Sequence, residues 1–216
     1  MIHGAGGGGW EYRFWRPVWE RAGWRVVARD LVPAKGGLEA TAFADYTAQV
    51  SAWANGVRRP LVVVGASLGG ALALATAKEL KPDALILVNA AGTEPAIERE
   101  PIPAVVRWAN GPRKDTEDAM PDSDAATIDF AWPRWRDESG AVMRAVRQGV
   151  TFDAPYPRSL VVISERDTDV EPARSERLAA RLGADMFRYA GMSHVGPLLS
   201  RRGTEVASAV LAWTRR

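Results

Sequence analysis

Short apolar runs alternate with helical patterns along most of the chain after Trp24. Four of these runs are continuously apolar apart from Arg25, which is typical of strands covered on both faces. They are residues 25–28, 61–64, 84–88 and 160–163. Helical patterns predict helices over residues 10–22, 42–56, 68–80, 172–182 and 203–214. This alternation predicts an α/β fold: a mostly parallel, doubly wound sheet with helices on both faces.

The alternation breaks between residues 93 and 157. This segment carries eight of the fourteen prolines, and we expect only two helical pieces in it, around residues 102–110 and 139–149. Because it leaves the carboxyl end of one strand and returns before the next, it should lie over the sheet edge where ligands bind. We therefore predict a single domain, residues 1–216, with 93–157 as a cap.

Composition excludes several classes of protein. The 28 basic and 26 acidic residues give a net charge of +2, and the arginines are scattered rather than clustered, which disfavours a nucleic-acid partner. No apolar stretch reaches the roughly 20 residues of a membrane span, and the start of the chain lacks a signal-peptide pattern, so we expect a cytoplasmic protein without a membrane partner. The absence of cysteine excludes disulfides, thiolate metal sites and a cysteine nucleophile.

The sharpest local motif is the run from Gly65 to Gly70, Gly-Ala-Ser-Leu-Gly-Gly, between an apolar strand and a helical pattern. This is G-x-S-x-G in the context that places a serine at the apex of a sharp strand-to-helix turn. The helix that follows directs its free N–H groups and positive dipole end at that serine. Ser67 is therefore the predicted nucleophile.

A serine needs a base at neutral pH, and histidine has an unperturbed pKa near 6.5. Of the two histidines, His194 lies in a loop late in the chain, as the order serine, acid, histidine requires. The acid should follow the strand at 160–163, where four carboxylates are available. We choose Asp167, with Asp169 as the alternative, to hold the imidazole in the correct tautomer.

Backbone N–H groups should stabilise the tetrahedral oxyanion. Leu68, directly after the nucleophile, supplies one, and the glycine-rich stretch from His3 to Trp10 should supply the other. We choose Ala5 as that second donor, because small residues let the backbone approach a substrate carbonyl. His3 is then expected to pack the loop rather than take part in catalysis.

These motifs resemble the α/β-hydrolase family over essentially the whole chain, and the stretch from His3 to Trp10 resembles its plant-type methylesterase and hydroxynitrile lyase branch. The resemblance implies the same triad and a cap that shapes the substrate pocket. Lyase members usually carry threonine at Gly4 and lysine at Val195, so ester hydrolysis is favoured over cyanohydrin cleavage. The strand that usually precedes the loop is reduced here to Met1-Ile2, which indicates a trimmed sheet or a start placed too late.

We therefore predict a serine esterase that cleaves a small carboxylic ester, thioester or lactone without a metal or organic cofactor. Gly4, Trp10, Trp108 and Trp132 are expected to border the substrate. The tryptophans favour an apolar or aromatic substrate, although they equally suit an anchor between cap and core. The sequence does not choose between ester, thioester and lactone, and it leaves the oligomeric state open.

Two alternative functions remain. Residues 4–9 also satisfy the G-x-G-x-x-G pattern, with Asp30 at the distance of a ribose-binding acid, as in NAD(P)-dependent short-chain dehydrogenases. Against this, almost no strand precedes the glycines, and no tyrosine has the lysine four residues later that those enzymes use. The other alternative is a binding protein that keeps the hydrolase fold without its chemistry.

Overall fold

The central feature of the computed structural model, which describes residues 1–96, 100–156 and 158–216, is a parallel sheet. The strands are, in chain order, β1 (Val62–Ala66), β2 (Ala84–Val88), β3 (Val105–Val106), β4 (Glu138–Ser139), β5 (Ser159–Ser164) and β6 (Asp185–Tyr189). Four of them form the main sheet in the order β1-β2-β5-β6, all parallel. The short strands β3 and β4 pair antiparallel in a separate two-stranded sheet.

Helices connect and cover these strands. They are α1 (Trp15–Arg21), α2 (Phe43–Ala54), α3 (Leu68–Leu80), α4 (Arg113–Ala119), α5 (Ala125–Ala131), α6 (Gly140–Gln148), α7 (Pro172–Leu182), α8 (Gly196–Leu199) and α9 (Gly203–Trp213). Proline at the start of α7 needs no hydrogen-bond partner for its nitrogen, and Gly183 ends the helix in the left-handed conformation. This accounts for the agreement between the predicted and observed bounds of α7.

The two faces of the sheet carry separate apolar cores. Val63 and Leu85 pack with residues of α2, α3, α6 and α7, whereas Val64 and Ile86 pack with residues of α1, α8 and α9. Successive side chains of a strand point to opposite faces, so a continuously apolar strand serves both cores. The predicted α/β architecture is thereby confirmed.

Two predicted elements are wrong. Residues 25–28 form no strand, because the neighbouring chain is reduced to Ile2, which bridges Gly65, and to the Met1 amine, which donates to the Val27 carbonyl at 2.8 Å. The helix expected at 102–110 is instead the short strand β3. The prolines at its start disfavour helix in the residues before them, and two β-branched valines pair with β4.

The chain between β2 and β5, residues 93–157, which we call the insertion, contains β3, β4 and α4 to α6. Its predicted last residue, Pro157, lies outside the described residues, and its role as a cap stays a prediction. Across the described ranges, no helix combines the length and apolar character needed to span a membrane.

Candidate active site

Ser67 stands at a sharp turn between β1 and α3. Its backbone angles, φ 51° and ψ −118°, lie in a region that residues with a side chain rarely adopt. The turn closes tightly: a Cβ on Gly65 would overlap the Gly69 carbonyl, and a Cβ on Gly69 would overlap the Ile2 carbonyl. The two glycines of the motif are therefore required by close backbone packing around the serine.

The main chain of Ser67 is tied to the end of β2. Its N–H donates to the Val88 carbonyl at 3.0 Å, and its carbonyl accepts from the Ala91 N–H at 3.0 Å. Leu68 occupies the first position of α3, where an N–H has no carbonyl one turn earlier to bind. The serine and this free donor thus share the carboxyl edge of the sheet, at the positive end of a thirteen-residue helix.

His194 and Asp167 form a hydrogen-bonded pair. The His194 Nδ1 lies 2.8 Å from the Asp167 Oδ2, and an N–H donated there leaves Nε2 as the basic nitrogen. Burial lowers the pKa of His194, but the hydrogen bond and charge of Asp167 outweigh that effect and hold the pKa above 6.5. Asp169 Oδ2 lies 4.0 Å from Nε2 on a side chain that is 69% exposed, against 1% for the side chain of Asp167. The geometry favours Asp167 over Asp169 as the partner of the imidazole.

Two residues that the sequence analysis did not single out as site residues hold the histidine loop. Asn89, at the end of β2, donates from Nδ2 to the His194 carbonyl at 2.6 Å and to Ser164 Oγ at 2.9 Å. Asp122, from the insertion, accepts from the N–H of Ser193 at 3.1 Å and from its hydroxyl at 2.5 Å. The only signal for Asn89 was its place directly after a predicted strand. Nothing local pointed to Asp122.

Ser67 and His194 are brought to the same place by β2, since both bind residues between Val88 and Ala91. Within the described residues, no hydrogen bond joins Ser67 Oγ to His194. Ser67 and His194 are therefore anchored through their main chains at the same edge of the sheet.

The glycine-rich loop lies beside the serine. A Cβ on Gly4 would stand 3.4 Å from the Ser67 Cβ, so this residue faces Ser67. His3 is fully buried behind the loop, where its Nε2 accepts from the Leu31 N–H at 2.9 Å and its Nδ1 lies 2.7 Å from the Gly4 carbonyl. Burial lowers the pKa of His3 to about 4, which keeps the ring neutral and able to accept that bond.

Residues of the insertion also hold this loop. The Arg136 N–H donates to the Gly6 carbonyl at 2.7 Å, and its guanidinium donates to the Gly7 carbonyl and, at 3.1 Å, to the Leu31 carbonyl. The Gly6 N–H in turn donates to Glu138 Oε2 at 3.2 Å. The loop is therefore bound to the insertion through its own backbone.

The predicted substrate-bordering tryptophans are placed differently from one another. Trp108 lies directly over Gly6 and is 40% exposed, beside the loop. Trp10 packs edge-on against Trp135 at 4.9 Å between ring centroids, as an anchor between loop and insertion would. Trp132 is exposed and donates to the Gly111 carbonyl inside the insertion. Of the three, Trp108 is best placed to meet a ligand at the loop.

An apolar groove lies apart from the candidate site. It is between β1 and the chain from Trp24 to Val27, and none of Ser67, Asp167 or His194 lines it. In the described part of the chain, no three acidic or histidine side chains are grouped as metal ligands. Asp30, the acid of the dinucleotide alternative, accepts from the Gly9 N–H at 2.7 Å and so braces the loop.

Comparison with known proteins defines the class. A sequence model described as the alpha/beta hydrolase family matches residues 1–209. The chain belongs to the alpha/beta hydrolase family. No curated protein matches it in sequence.

Solved structures share its fold at low sequence identity. A methylesterase, MES16 from Arabidopsis, is 14% identical with a TM-score of 0.74, covering 100% of this chain and 98% of that chain. Polyneuridine aldehyde esterase is 18% identical with a TM-score of 0.74, covering 99% and 97%. A pyrethroid hydrolase from Sphingobium faniae is 20% identical with a TM-score of 0.71, covering 99% and 95%. These structures establish the fold along the full chain, as the sequence analysis expected.

Proposed function

We propose that this protein is a serine hydrolase that cleaves a carboxylic ester, thioester or lactone through an acyl-enzyme intermediate. One observation carries the proposal. The strained turn presents Ser67 at the sheet edge where the end of β2 also binds the loop of His194, itself paired with Asp167 at 2.8 Å. The hydrolase and esterase names of the structural neighbours agree with this chemistry. The members of the triad are Ser67, His194 and Asp167.

The first half-reaction forms the acyl-enzyme. His194 Nε2 takes the Ser67 hydroxyl proton as Oγ attacks the substrate carbonyl carbon, and Asp167 stabilises the resulting imidazolium. The N–H groups of Ala5 and Leu68 donate to the oxyanion of the tetrahedral intermediate. Collapse breaks the bond to the leaving alcohol or thiol, which receives its proton from His194.

The second half-reaction releases the acid. His194 takes a proton from water as the water oxygen attacks the acyl carbon, and the same two N–H groups hold the second oxyanion. Collapse breaks the bond to Ser67 Oγ, which recovers its proton from His194. We propose that the insertion acts as a cap over this site. We also propose that Gly4, Trp10, Trp108 and Trp132 border the substrate, Trp108 most directly.

Labelling with a fluorophosphonate followed by peptide mass spectrometry tests this proposal without knowledge of the substrate. We expect modification at Ser67, absent in Ser67→Ala and strongly slowed in His194→Ala. Ser208→Ala is the matched control, since it removes an exposed hydroxyl on α9 that contacts only its own helix. Circular dichroism should show all variants folded.

Hydrolysis of p-nitrophenyl esters of increasing acyl length then ranks the acyl groups that the site accepts. A folded wild-type protein that neither takes the label nor hydrolyses these esters would refute the proposal and favour the non-catalytic binding protein.

A further inference from the structure

Carboxylates hold the N–H groups on either side of Ala5 in the glycine-rich loop. The Gly4 N–H donates to Glu11 Oε2 at 3.1 Å, and the Gly6 N–H donates to Glu138 Oε2 at 3.2 Å. Across residues 1–96, 100–156 and 158–216, the Ala5 N–H has no hydrogen-bond acceptor. The loop therefore offers a single free donor between two occupied ones.

We propose that Glu11 and Glu138 are positioning residues of the oxyanion hole. They bind the N–H groups of Gly4 and Gly6 and so direct the N–H group of Ala5 toward the substrate. This inference rests on the proposed serine hydrolase function and deepens it. Neither side chain is assigned a contact with substrate; each acts through the backbone of Ala5.

Both carboxylates are buried and firmly held. Glu138 is 3% exposed, and its second oxygen accepts from the Tyr46 hydroxyl at 2.9 Å and from the Ser139 N–H at 2.8 Å. Glu11 is 4% exposed, and burial raises its pKa to about 7. Hydrogen bonds to a charged acceptor are stronger than neutral ones, and a buried carboxylate without them is costly. The loop and the two acids thus stabilise each other.

The shape of the loop also fits this role. A Cβ on Gly7 would overlap the Glu11 carboxylate, and a Cβ on Gly6, which has φ +65°, would overlap the Trp108 ring. The loop therefore wraps around the Glu11 carboxylate and is covered by Trp108 from the outside. Glycine at these two positions leaves the room that this arrangement needs.

Replacement of each acid by glutamine separates positioning from charge. Neutralising a carboxylate near a developing oxyanion favours the oxyanion, so a purely electrostatic role predicts a higher kcat. Positioning predicts the opposite. In Glu138→Gln, an amide oxygen kept by Tyr46 and Ser139 turns the NH₂ group toward the Gly6 N–H, and two donors then face each other.

The expected effect lies in kcat rather than KM. Loss of an oxyanion donor lowers kcat by roughly 10²–10³-fold, so misplacement of one donor should lower it by about 10–100-fold. With p-nitrophenyl butyrate, we expect Glu138→Gln and Glu11→Gln to show this loss with little change in KM. Tyr46→Phe, which removes only one donor to Glu138, should show a smaller loss in the same direction.

The inhibition constant Ki of butylboronic acid provides a second measurement, which should not change if Glu11 and Glu138 have only a structural role. The adduct of butylboronic acid with a serine is tetrahedral and places an oxygen in the oxyanion hole, so the Ki should rise in proportion to the fall in kcat/KM. Asp83→Asn is the control: this acid also accepts from a backbone N–H, that of Leu61 at 2.6 Å, but at the opposite end of the sheet. It should change neither value.

Thermal unfolding of each variant identifies losses that come from misfolding. If a glutamine variant does not fold, Tyr46→Phe provides the same comparison with a milder change. An active wild-type protein whose folded variants keep or raise kcat, with unchanged boronate Ki, would overturn this inference alone. A wild-type protein that neither hydrolyses the ester nor binds the boronate would overturn the proposed function as well.

Discussion

Two regions meet at the site, and they are positioned in different ways. The turn at Ser67 is shaped by contacts between backbone atoms, such as Gly65 against Gly69 and Gly69 against Ile2. The glycine-rich loop is shaped by hydrogen bonds to side chains, from Glu11 close by and from Glu138, which is 132 residues from Gly6. One half of the site is therefore built by backbone packing and the other by hydrogen bonds to side chains.

This difference teaches which substitutions each half tolerates. At the turn, a methyl group meets backbone that cannot move without disturbing both β1 and α3. At Gly7 and Gly8 of the loop, an added Cβ meets side chains, which can adjust while the fold persists. We therefore expect damage at the turn to affect stability first, and damage at the loop to affect activity first.

The largest expected effect on stability comes from replacing a glycine by alanine in each of the two regions. Gly65→Ala places a methyl group against backbone atoms of Gly69 and Gly70 and should lower the free energy of unfolding by about 3 kcal/mol. Gly7→Ala meets the end of the Glu11 side chain and should cost about 1 kcal/mol, while displacing that carboxylate from the Gly4 N–H and lowering kcat. Urea unfolding and ester turnover measure both.

Gly56→Ala is a control for the loss of a glycine as such: it lies in a positive-φ turn with nothing within 4 Å of the added methyl group. It should lose some stability through backbone strain and leave kcat unchanged. Equal stability losses in Gly65→Ala and Gly7→Ala would break the distinction between the two regions.

A smaller effect is expected when the hydrogen bonds between the glycine-rich loop and Arg136 of the insertion are removed. Arg136→Met keeps the length of the side chain but removes the donors to the Gly7 and Leu31 carbonyls. We expect kcat to fall about 10-fold, with a stability loss of about 1–2 kcal/mol. Arg113→Met is the matched control, because among the described residues Arg113 pairs with Glu117 and Asp129, both within the insertion. A control as inactive as Arg136→Met would argue against a specific role for Arg136.

The smallest effect concerns the pH profile. The proposed mechanism requires neutral His194, and because the pKa of His194 is raised, we expect the acid limb of kcat/KM at higher pH than for a free imidazole. Asp167, Asp169 and Glu11 all contribute to raising it. Asp169→Asn removes one negative charge, so the pKa falls and the limb should move to lower pH by a few tenths of a unit, and by less in high salt.

Asp167→Asn provides the contrast for that experiment. It should lower kcat by about 10³–10⁴-fold, because the imidazole loses the partner that sets its tautomer. If Asp169→Asn produced the large loss and Asp167→Asn the small shift, the identity of the acid would be reversed.

The α/β architecture could be predicted from the sequence because continuous apolar runs and helical periodicity are local properties. The loss of the strand at 25–28 was not predicted, because a strand also needs a neighbour to pair with, and the chain beside it is reduced to Ile2, which bridges Gly65, and to the Met1 amine. The strand β3 was wrongly predicted as helix, since two valines between prolines and a tryptophan form their ladder only when β4 arrives from 32 residues later. These errors share one cause, which is pairing between distant segments.

By itself, the sequence determined the turn at Ser67, because a G-x-S-x-G turn between strand and helix depends on a few adjacent residues. It also pointed to His194 as the base, because the chain has only two histidines. The sequence also ranked Asp167 ahead of Asp169, and the tertiary structure adds a physical reason, which is the burial of Asp167 and its distance of 2.8 Å from His194. The tertiary structure alone showed Asp122 and Glu138 at the histidine and glycine loops, since neither lies in a motif. Both residues belong to the insertion, and no local pattern records the contacts of the insertion with these two loops.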